Sequence, residues 1–353
     1  MKINTLSLFS GSGGFERAFL NTGYNLNIIG ISEIKKHSII VYESIFGNHK
    51  NYGDITKINE KQLPKKIDLL LHGSPCQSFS KEGKMQGAKL GSKTKSALIW
   101  ETVRIIKETL PNVILWENVA SAKSFLDYNE YLKTLKNLGY HNNEFILNSK
   151  DFGIPQHRRR LIVVSTLNSF EIKMPRYKVE SDLKNFLDYK KKDYLYFEDR
   201  YRLTLPIYLD NKLLIRNATK KGYIEADIGN IVDLSFPNSK TRRARVIQDR
   251  TCPTILTSNV LGVITNDLRI RYLTAKENWL LMGRSDKEYL KAYTALKENK
   301  YNNIEKKLYE IGGNSIVPNI IEPIAEELKE YFKIYKSNIH YSYTNYNRKE
   351  VNI

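Results

Sequence analysis

Short apolar runs alternate with helix-length segments through the first half of the chain, and that rhythm restricts the fold more than any other feature. Residues 2–9 read as a strand, after which Gly11, Gly13 and Gly14 lead into a helical pattern carried by Phe15, Ala18, Phe19 and Leu20. Further strands are expected at 26–32, 67–71, 113–116, 144–147 and 161–165, with helices around 34–45, 97–110 and 125–138. Repeated crossovers of this length predict an α/β fold, a Rossmann-like and mainly parallel sheet covered by helices on both faces.

After Thr166 the rhythm breaks. Basic stretches at Lys190 to Lys192 and Lys240 to Arg245, and an aromatic run from Tyr194 to Tyr201, announce a smaller and irregular second region. Residues 285–308 read as helical and polar, and 320–334 as an amphipathic helix returning to the first domain. The division expected is 1–168 for catalysis and cofactor binding, 169–310 for target recognition and a hinge, 311–335 for the return, and 336–353 for a basic aromatic tail. A chain of 353 residues accommodates such a plan. Its 56 Lys and Arg against 38 Asp and Glu give a formal charge of +18, which suits a polyanionic partner. Only Cys76 and Cys252 are available for thiol chemistry, so a reducing cytoplasm is expected rather than a disulfide framework. No apolar run reaches the roughly 20 residues that cross a bilayer.

The turn from Phe9 to Gly14 sits where an α/β fold exposes backbone N–H groups at the end of its first strand. Alone, it equally suits a tight packing turn. Glu33 ends the next apolar strand, where a carboxylate can accept hydrogen bonds from ribose hydroxyls, and Asp54 in Gly53-Asp54-Ile55 can read an adenine amino group. Each acid alone also fits a solvated loop; together they describe a nucleoside pocket at the carboxyl ends of strands. The chain lacks the dinucleotide spacing and any Gly-Lys-Ser/Thr phosphate loop, so hydride transfer and nucleotide hydrolysis recede. S-adenosylmethionine, an adenosine joined to a transferable methyl group, fits better.

Cys76 lies in Gly73-Ser74-Pro75-Cys76-Gln77, directly after an apolar strand, where a thiolate can act as a nucleophile. A buried, inert cysteine is the alternative. With Glu33, Gly53-Asp54-Ile55, Glu117-Asn118-Val119, Gln156-His157-Arg158-Arg159-Arg160 and Gly313-Asn314-Ser315-Ile316-Val317-Pro318 in that order, the chain resembles the DNA (cytosine-5) methyltransferases of bacterial or phage modification type. The resemblance covers roughly 1–166 and 268–334.

That resemblance implies an S-adenosylmethionine-dependent methyltransferase fold and a covalent mechanism. Cys76 would add to C6 of a flipped cytosine, making C5 nucleophilic toward the methyl donor. Glu117 would contact cytosine N3 and the exocyclic amine. Arg160 would reach O2 and orient Glu117, while Arg158 would hold the target backbone and the nucleophile loop. Phe9, Gly11, Gly13, Gly14, Glu33, Ile34, Asp54, Ile55, Pro75, Asn314 and Ser315 would line the cofactor pocket. Residues 79–94 would form a closing loop, with Gln77, Ser80, Lys81, Lys84, Lys89 and Lys93 toward DNA. Gln156 is placed with this DNA-facing set as an organiser of the arginine cluster.

Arg242, Arg243 and Arg245 would read guanine or neutralise phosphate. Thr254 and Thr257, in a segment resembling the end of a family recognition region, would offer hydroxyls to phosphates. Ala275 stands where proline is usual and Leu280 where arginine is common, departures that bear on packing and DNA grip. Double-stranded DNA is the expected partner of a monomer, with functional pairing to a restriction endonuclease or phage DNA protection as its setting. Methylation of structured RNA, and an inactive DNA-binding protein of the same fold, remain the alternatives.

Overall fold

The structure is a computed structural model describing residues 2–75, 95–174, 178–188, 194–197, 207–209, 212–216, 220–235 and 245–336. Its first half alternates β1 (Lys2–Leu8), α1 (Gly14–Asn21), β2 (Asn25–Ser32), α2 (Lys36–Phe46), β3 (Leu69–His72), α3 (Ile99–Thr109), β4 (Val113–Val119), α4 (Leu126–Asn137), β5 (His141–Asn148) and β6 (Arg159–Thr166). These strands form one six-stranded sheet in the order β2-β1-β3-β4-β6-β5. Pairings from β2 through β4 are parallel, whereas β6 runs antiparallel to both β4 and β5.

Strand residues alternate between two cores, as a period of two requires. Leu6, Leu8, Leu70, Ile114, Trp116, Leu161 and Val163 meet α3 and α4 on one face. Ile3, Leu69, Leu71, Val113, Leu115, Ile162 and Val164 meet α1 and α8 (Glu322–Lys336) on the other. Inner strands covered on both faces are therefore nearly all apolar, while the edge strand β5 carries His141, Asn142, Asn143 and Glu144. Helix α8 docks through Ile324, Ala325, Leu328, Tyr331 and Phe332, so residues from both ends of the chain share one core.

The middle of the chain builds two small antiparallel sheets. Strands β7 (Ile207–Leu209), β8 (Lys212–Arg216) and β9 (Tyr223–Ala226) form one. Strands β10 (Ile231–Asp233), β11 (Arg245–Ile247), β12 (Leu261–Ile264) and β13 (Ile270–Tyr272) form the other, in the order β11-β10-β12-β13. Three helices follow: α5 (Ala275–Leu281), α6 (Asp286–Glu298) and α7 (Ile304–Gly313). The polar stretch expected as one helix is thus two, parted at 299–303, where Lys300 and Asn303 have φ of 56° and 53°. Trp279, Ala292, Leu296, Leu308 and Ile311 pack with Val41 of α2 in a single core. Through that core α5 to α7 pack against α2, while Leu281 of α5 also joins Ile231 of β10 and Leu261 of β12 in another.

Ala275 costs the helix little as a replacement for proline. Thr274 accepts from the Glu277 N–H while Glu277 accepts from the Thr274 N–H, a reciprocal cap that defines the start of α5. Glu277 is fully buried and takes both Arg271 guanidinium nitrogens, at 2.8 and 2.9 Å. The tail from 337 onward lies outside the described residues.

Candidate active site

The cofactor side of the site forms where β1 and β2 end. Phe9 and Gly11 both have φ of 55°, reversing the chain immediately after β1. The Gly11 N–H donates to Glu33 Oε2 at 3.0 Å, and the Ile34 and Lys35 N–H groups donate to Glu33 Oε1 at 2.8 and 2.9 Å. The carboxylate is therefore oriented before any ligand arrives, and its lone-pair capacity exceeds the three bonds it takes. Asn51 continues the sheet edge beside Ile31 and organises the next turn. Its Oδ1 accepts from the Glu33 and Gly53 N–H groups, and its Nδ2 donates to the Glu33 carbonyl.

Asp54 follows that turn and caps the short helix at Ile55–Lys57. The Thr56 backbone N–H and hydroxyl both donate to Asp54 Oδ1 and hold the carboxyl below its ordinary range, so an ionised acceptor faces outward. Ile34 is 69 % exposed although apolar, whereas Ile55 is buried. Two carboxylates and a nearby uncovered apolar side chain are the kinds of group that the adenosine half of S-adenosylmethionine requires. Gly13 and Gly14 serve packing: an added Cβ would fall 2.2 Å from Phe46 Cε2 at Gly13 and 2.6 Å from the Ile316 carbonyl oxygen at Gly14. Ser315 is buried, with Oγ 3.4 Å from Ser12 Oγ, while exposed Asn314 donates its amide to the Glu310 carbonyl at the end of α7.

The chemical side forms at the ends of β3 and β4. Ser74 is buried beneath the entry to the nucleophile segment, accepting on Oγ from Trp116 Nε1 at 3.0 Å and on its carbonyl from Asn118 Nδ2 at 3.3 Å. Pro75 follows, partly exposed. Cys76, Gln77, Ser80, Lys81, Lys84, Lys89 and Lys93, and the closing loop they belong to, lie outside the described residues. Glu117 and Arg160 come from neighbouring strands, where Val119 is registered opposite Arg160. Two positions along the strand is one step on the same face, and Arg160 Nε meets Glu117 Oε1 at 2.8 Å, each side chain 12 % exposed. Glu117 Oε2 lies 3.9 Å from where a Cβ on Gly73 would stand, so the acid borders the nucleophile segment.

Three of the expected site residues make their hydrogen bonds inside the protein. Arg158 is 2 % exposed, and its guanidinium donates to the carbonyls of Ile255, Gly313 and Ser315 at 3.1, 3.1 and 2.8 Å. It ties the segment at Ile255 to the return at 313–315. Gln156 is fully buried, donating to the Leu281 carbonyl and accepting from the Ile255 N–H, so it organises without touching DNA. Thr254 donates its hydroxyl to the His157 carbonyl at 2.6 Å, a bond inside the protein.

Thr257 is exposed, and Arg245 extends from β11 with its side chain 72 % exposed while pairing with Asp233. Arg242 and Arg243 lie outside the described residues. Cys252 is fully buried, and burial, reinforced by Asp233, pushes its thiol up, which disqualifies it as a nucleophile.

Three contributors escaped the sequence reading. Asn51 carried a signal, since Asn two residues before a turn glycine commonly bonds its own backbone. Arg284 and Glu288 are four apart on a helical turn, and Ser285 with Glu288 spells a capping box. Nothing in the sequence shows that Arg284 bonds Ser12, 272 residues away, or that Glu288 also takes Arg17.

Fold and site together define a methyltransferase of the mixed α/β type. Residues 3–330 match the C-5 cytosine-specific DNA methylase profile, and the chain belongs to that family. It is 35% identical over 202 residues to the orphan methyltransferase M.SPRI of Bacillus phage SPR, an alignment spanning 55% of this chain and 42% of that protein. It is 29% identical over 339 residues to the type II methyltransferase M.Bsp6I of Bacillus sp. (strain RFL6), covering 91% of this chain and 97% of the relative. Among solved structures, an Entamoeba histolytica methyltransferase shares the fold with a TM-score of 0.68 at 20% identity, covering 94% of this chain and 99% of that one.

Proposed function

We propose that the protein methylates C5 of cytosine at a defined sequence in duplex DNA, using S-adenosylmethionine and a transient bond between Cys76 Sγ and cytosine C6. The Glu117–Arg160 pair beside Gly73 carries this reading, because it presents an acid and a guanidinium together at the mouth of the nucleophile segment. Bound S-adenosylmethionine supplies an electrophilic methyl group on a sulfonium. Glu33, Asp54 and Ile34 hold its adenosine end, and Ser315 closes the pocket from the far end of the chain.

Cytosine C5 is a weak nucleophile while the ring is aromatic. Addition of the Cys76 thiolate to C6 moves electron density toward C5 and N3, where the Glu117 carboxyl would share a proton with N3 and accept from the exocyclic amine while Arg160 donates to O2. The methyl group would pass to C5 with its former bonding pair left on the cofactor sulfur, a base would remove the C5 proton, and the electron pair left behind would expel the Cys76 thiolate and restore the ring. The thiolate approaches the ring face, so the base must leave the helical stack first. A charge of +18 favours phosphate contact.

The setting we infer is a cytoplasmic monomer acting in restriction-modification or phage DNA protection, with a restriction endonuclease as functional counterpart. Among the described residues no helix is long and apolar enough to cross a membrane. A duplex with 5-fluorocytosine at the target tests the mechanism, because fluorine cannot leave as the proton does. Wild-type protein with S-adenosylmethionine should form a denaturant-resistant adduct that Cys76→Ala does not. Equal adduct with both proteins would remove Cys76 from the role.

A further inference from the structure

A buried ion network reaches the cofactor turn from the opposite end of the chain. Arg284, between α5 and α6, has a side chain 1 % exposed and donates through Nη1 and Nη2 to the Ser12 carbonyl at 3.1 and 3.2 Å. The same peptide unit is held from its other side, since the Gly13 N–H donates to the Ser10 carbonyl at 2.9 Å. Glu288 fixes Arg284 in place, accepting from its Nε at 3.1 Å and its Nη2 at 3.0 Å.

Glu288 also takes Arg17 Nε at 2.7 Å, and the Arg17 guanidinium lies 5.3 Å from the centroid of the Phe46 ring. That ring is the one a Cβ on Gly13 would strike. Despite burial, Arg284 and then Arg17 hold the Glu288 carboxyl below its ordinary range, so the network carries two positive charges and one negative.

We infer that Arg284, anchored by Glu288 and Arg17, is a positioning residue for S-adenosylmethionine binding, setting the Ser12–Gly13 peptide plane of the cofactor turn from behind. The assignment rests on the methyl-donor reading of that turn. The Gly13 N–H is already taken by the Ser10 carbonyl, so this peptide plane sets the path of the turn rather than offering a donor to the ligand, and an unheld Ser12 carbonyl would leave that path less fixed. The guanidinium removes that freedom with two donors, and its charge is matched locally, so the turn is set before the cofactor arrives.

Calorimetric titration of S-adenosylmethionine into the DNA-free protein tests this without turnover. Arg284→Met should raise Kd at least about tenfold, Arg284→Lys by less because an ammonium does not reproduce the planar pair of donors, and Arg17→Met about threefold. KM for the cofactor should follow Kd, with a smaller change in the rate at saturation. Thermal midpoints identify variants that have lost their fold; Arg17, 25 % exposed, carries the test should the Arg284 variants unfold. Folded Arg284→Lys and Arg17→Met with Kd within twofold of wild type would overturn the assignment. Absence of binding by folded wild type would instead refute the methyl-donor reading, and this assignment with it.

Discussion

Glu117→Gln separates chemistry from assembly. The substitution keeps the shape and a carbonyl acceptor for Arg160 Nε, now 2.8 Å from Glu117 Oε1, while removing the charge. Both side chains are 12 % exposed, so the loss lies between that of a surface pair and that of a fully buried one. The structural cost should be about 1–2 kcal/mol, the difference between a charged and a neutral hydrogen bond. At about 2.1 cal/mol/K of unfolding entropy per residue, the thermal midpoint should fall by roughly 1–3 °C. The chemical cost should be larger, because the carboxylate is the group that manages charge at N3 during thiolate addition. Loss of such a group typically slows chemistry by about 10²–10⁴-fold.

Rapid-quench single-turnover measurements with methyl-labelled S-adenosylmethionine and enzyme in excess over DNA isolate that step from product release. Fluorescence anisotropy of labelled duplex gives binding independently, and affinity should stay within about threefold of wild type. A folded Glu117→Gln protein that transfers methyl at the wild-type single-turnover rate would refute the assigned role.

Three further outcomes follow from the buried polar groups. Arg158→Met should destabilise the protein by about 3–5 kcal/mol, since it strips a buried donor from three carbonyls, and should leave the salt dependence of DNA binding unchanged. Denaturant unfolding and anisotropy across a salt series check the two halves. In folded Cys76→Ala protein at pH 8, Cys252 should resist thiol reagents until denaturant exposes it, a contrast read by absorbance titration.

Burial pushes His72 down to about 3, its ring stacked on Trp116 and bonded to Tyr131 Oη. The unfolded state, with an imidazole pKa near 6.5, protonates first on acidification, so His72 contributes stability that is full above about pH 6.5 and is lost as pH falls toward 3. Its share of the slope is up to about 1.4 kcal/mol per pH unit, and His72→Gln should flatten the stability profile between pH 6 and 4 by that amount. An unchanged profile would place the protonation elsewhere.

Periodicity was enough to find all six strands of the main sheet, because the inner strands alternate between two cores and the edge strand β5 between one core and solvent. It carried no information on direction, so the reversal of β6 appears only in the register of Glu117 opposite Ile162. That reversal matters to the site, since it is what places Arg160 within reach of Glu117. Glu33 ends an apolar run and Asp54 follows the turn at Gly53, and the bridge between Ile31 and Asn51 brings both to the β2 edge of the sheet. Polar residues whose partners lie far away were less legible.

Arg158 and Gln156 look like solvent-facing groups in a basic, polar segment, yet both are buried because the segment at 252–257 and the return at 313–315 close over them. Gly313 shows how tightly: an added Cβ would lie 2.3 Å from the Leu256 carbonyl carbon. Local sequence cannot reveal a lid supplied from about 100 and 155 residues away. The break between α6 and α7 was missed for a different reason, since Lys300 and Asn303 adopt left-handed backbone without a glycine to mark it.

The most direct test of the account identifies the base that receives the methyl group. Folded protein would be incubated with methyl-labelled S-adenosylmethionine and duplex DNA of diverse sequence, with transfer RNA in a parallel reaction, and the labelled nucleoside and its neighbours determined. The account predicts 5-methylcytosine at one recurrent duplex sequence. Label confined to transfer RNA, or no label from protein shown to bind both S-adenosylmethionine and DNA, would contradict it.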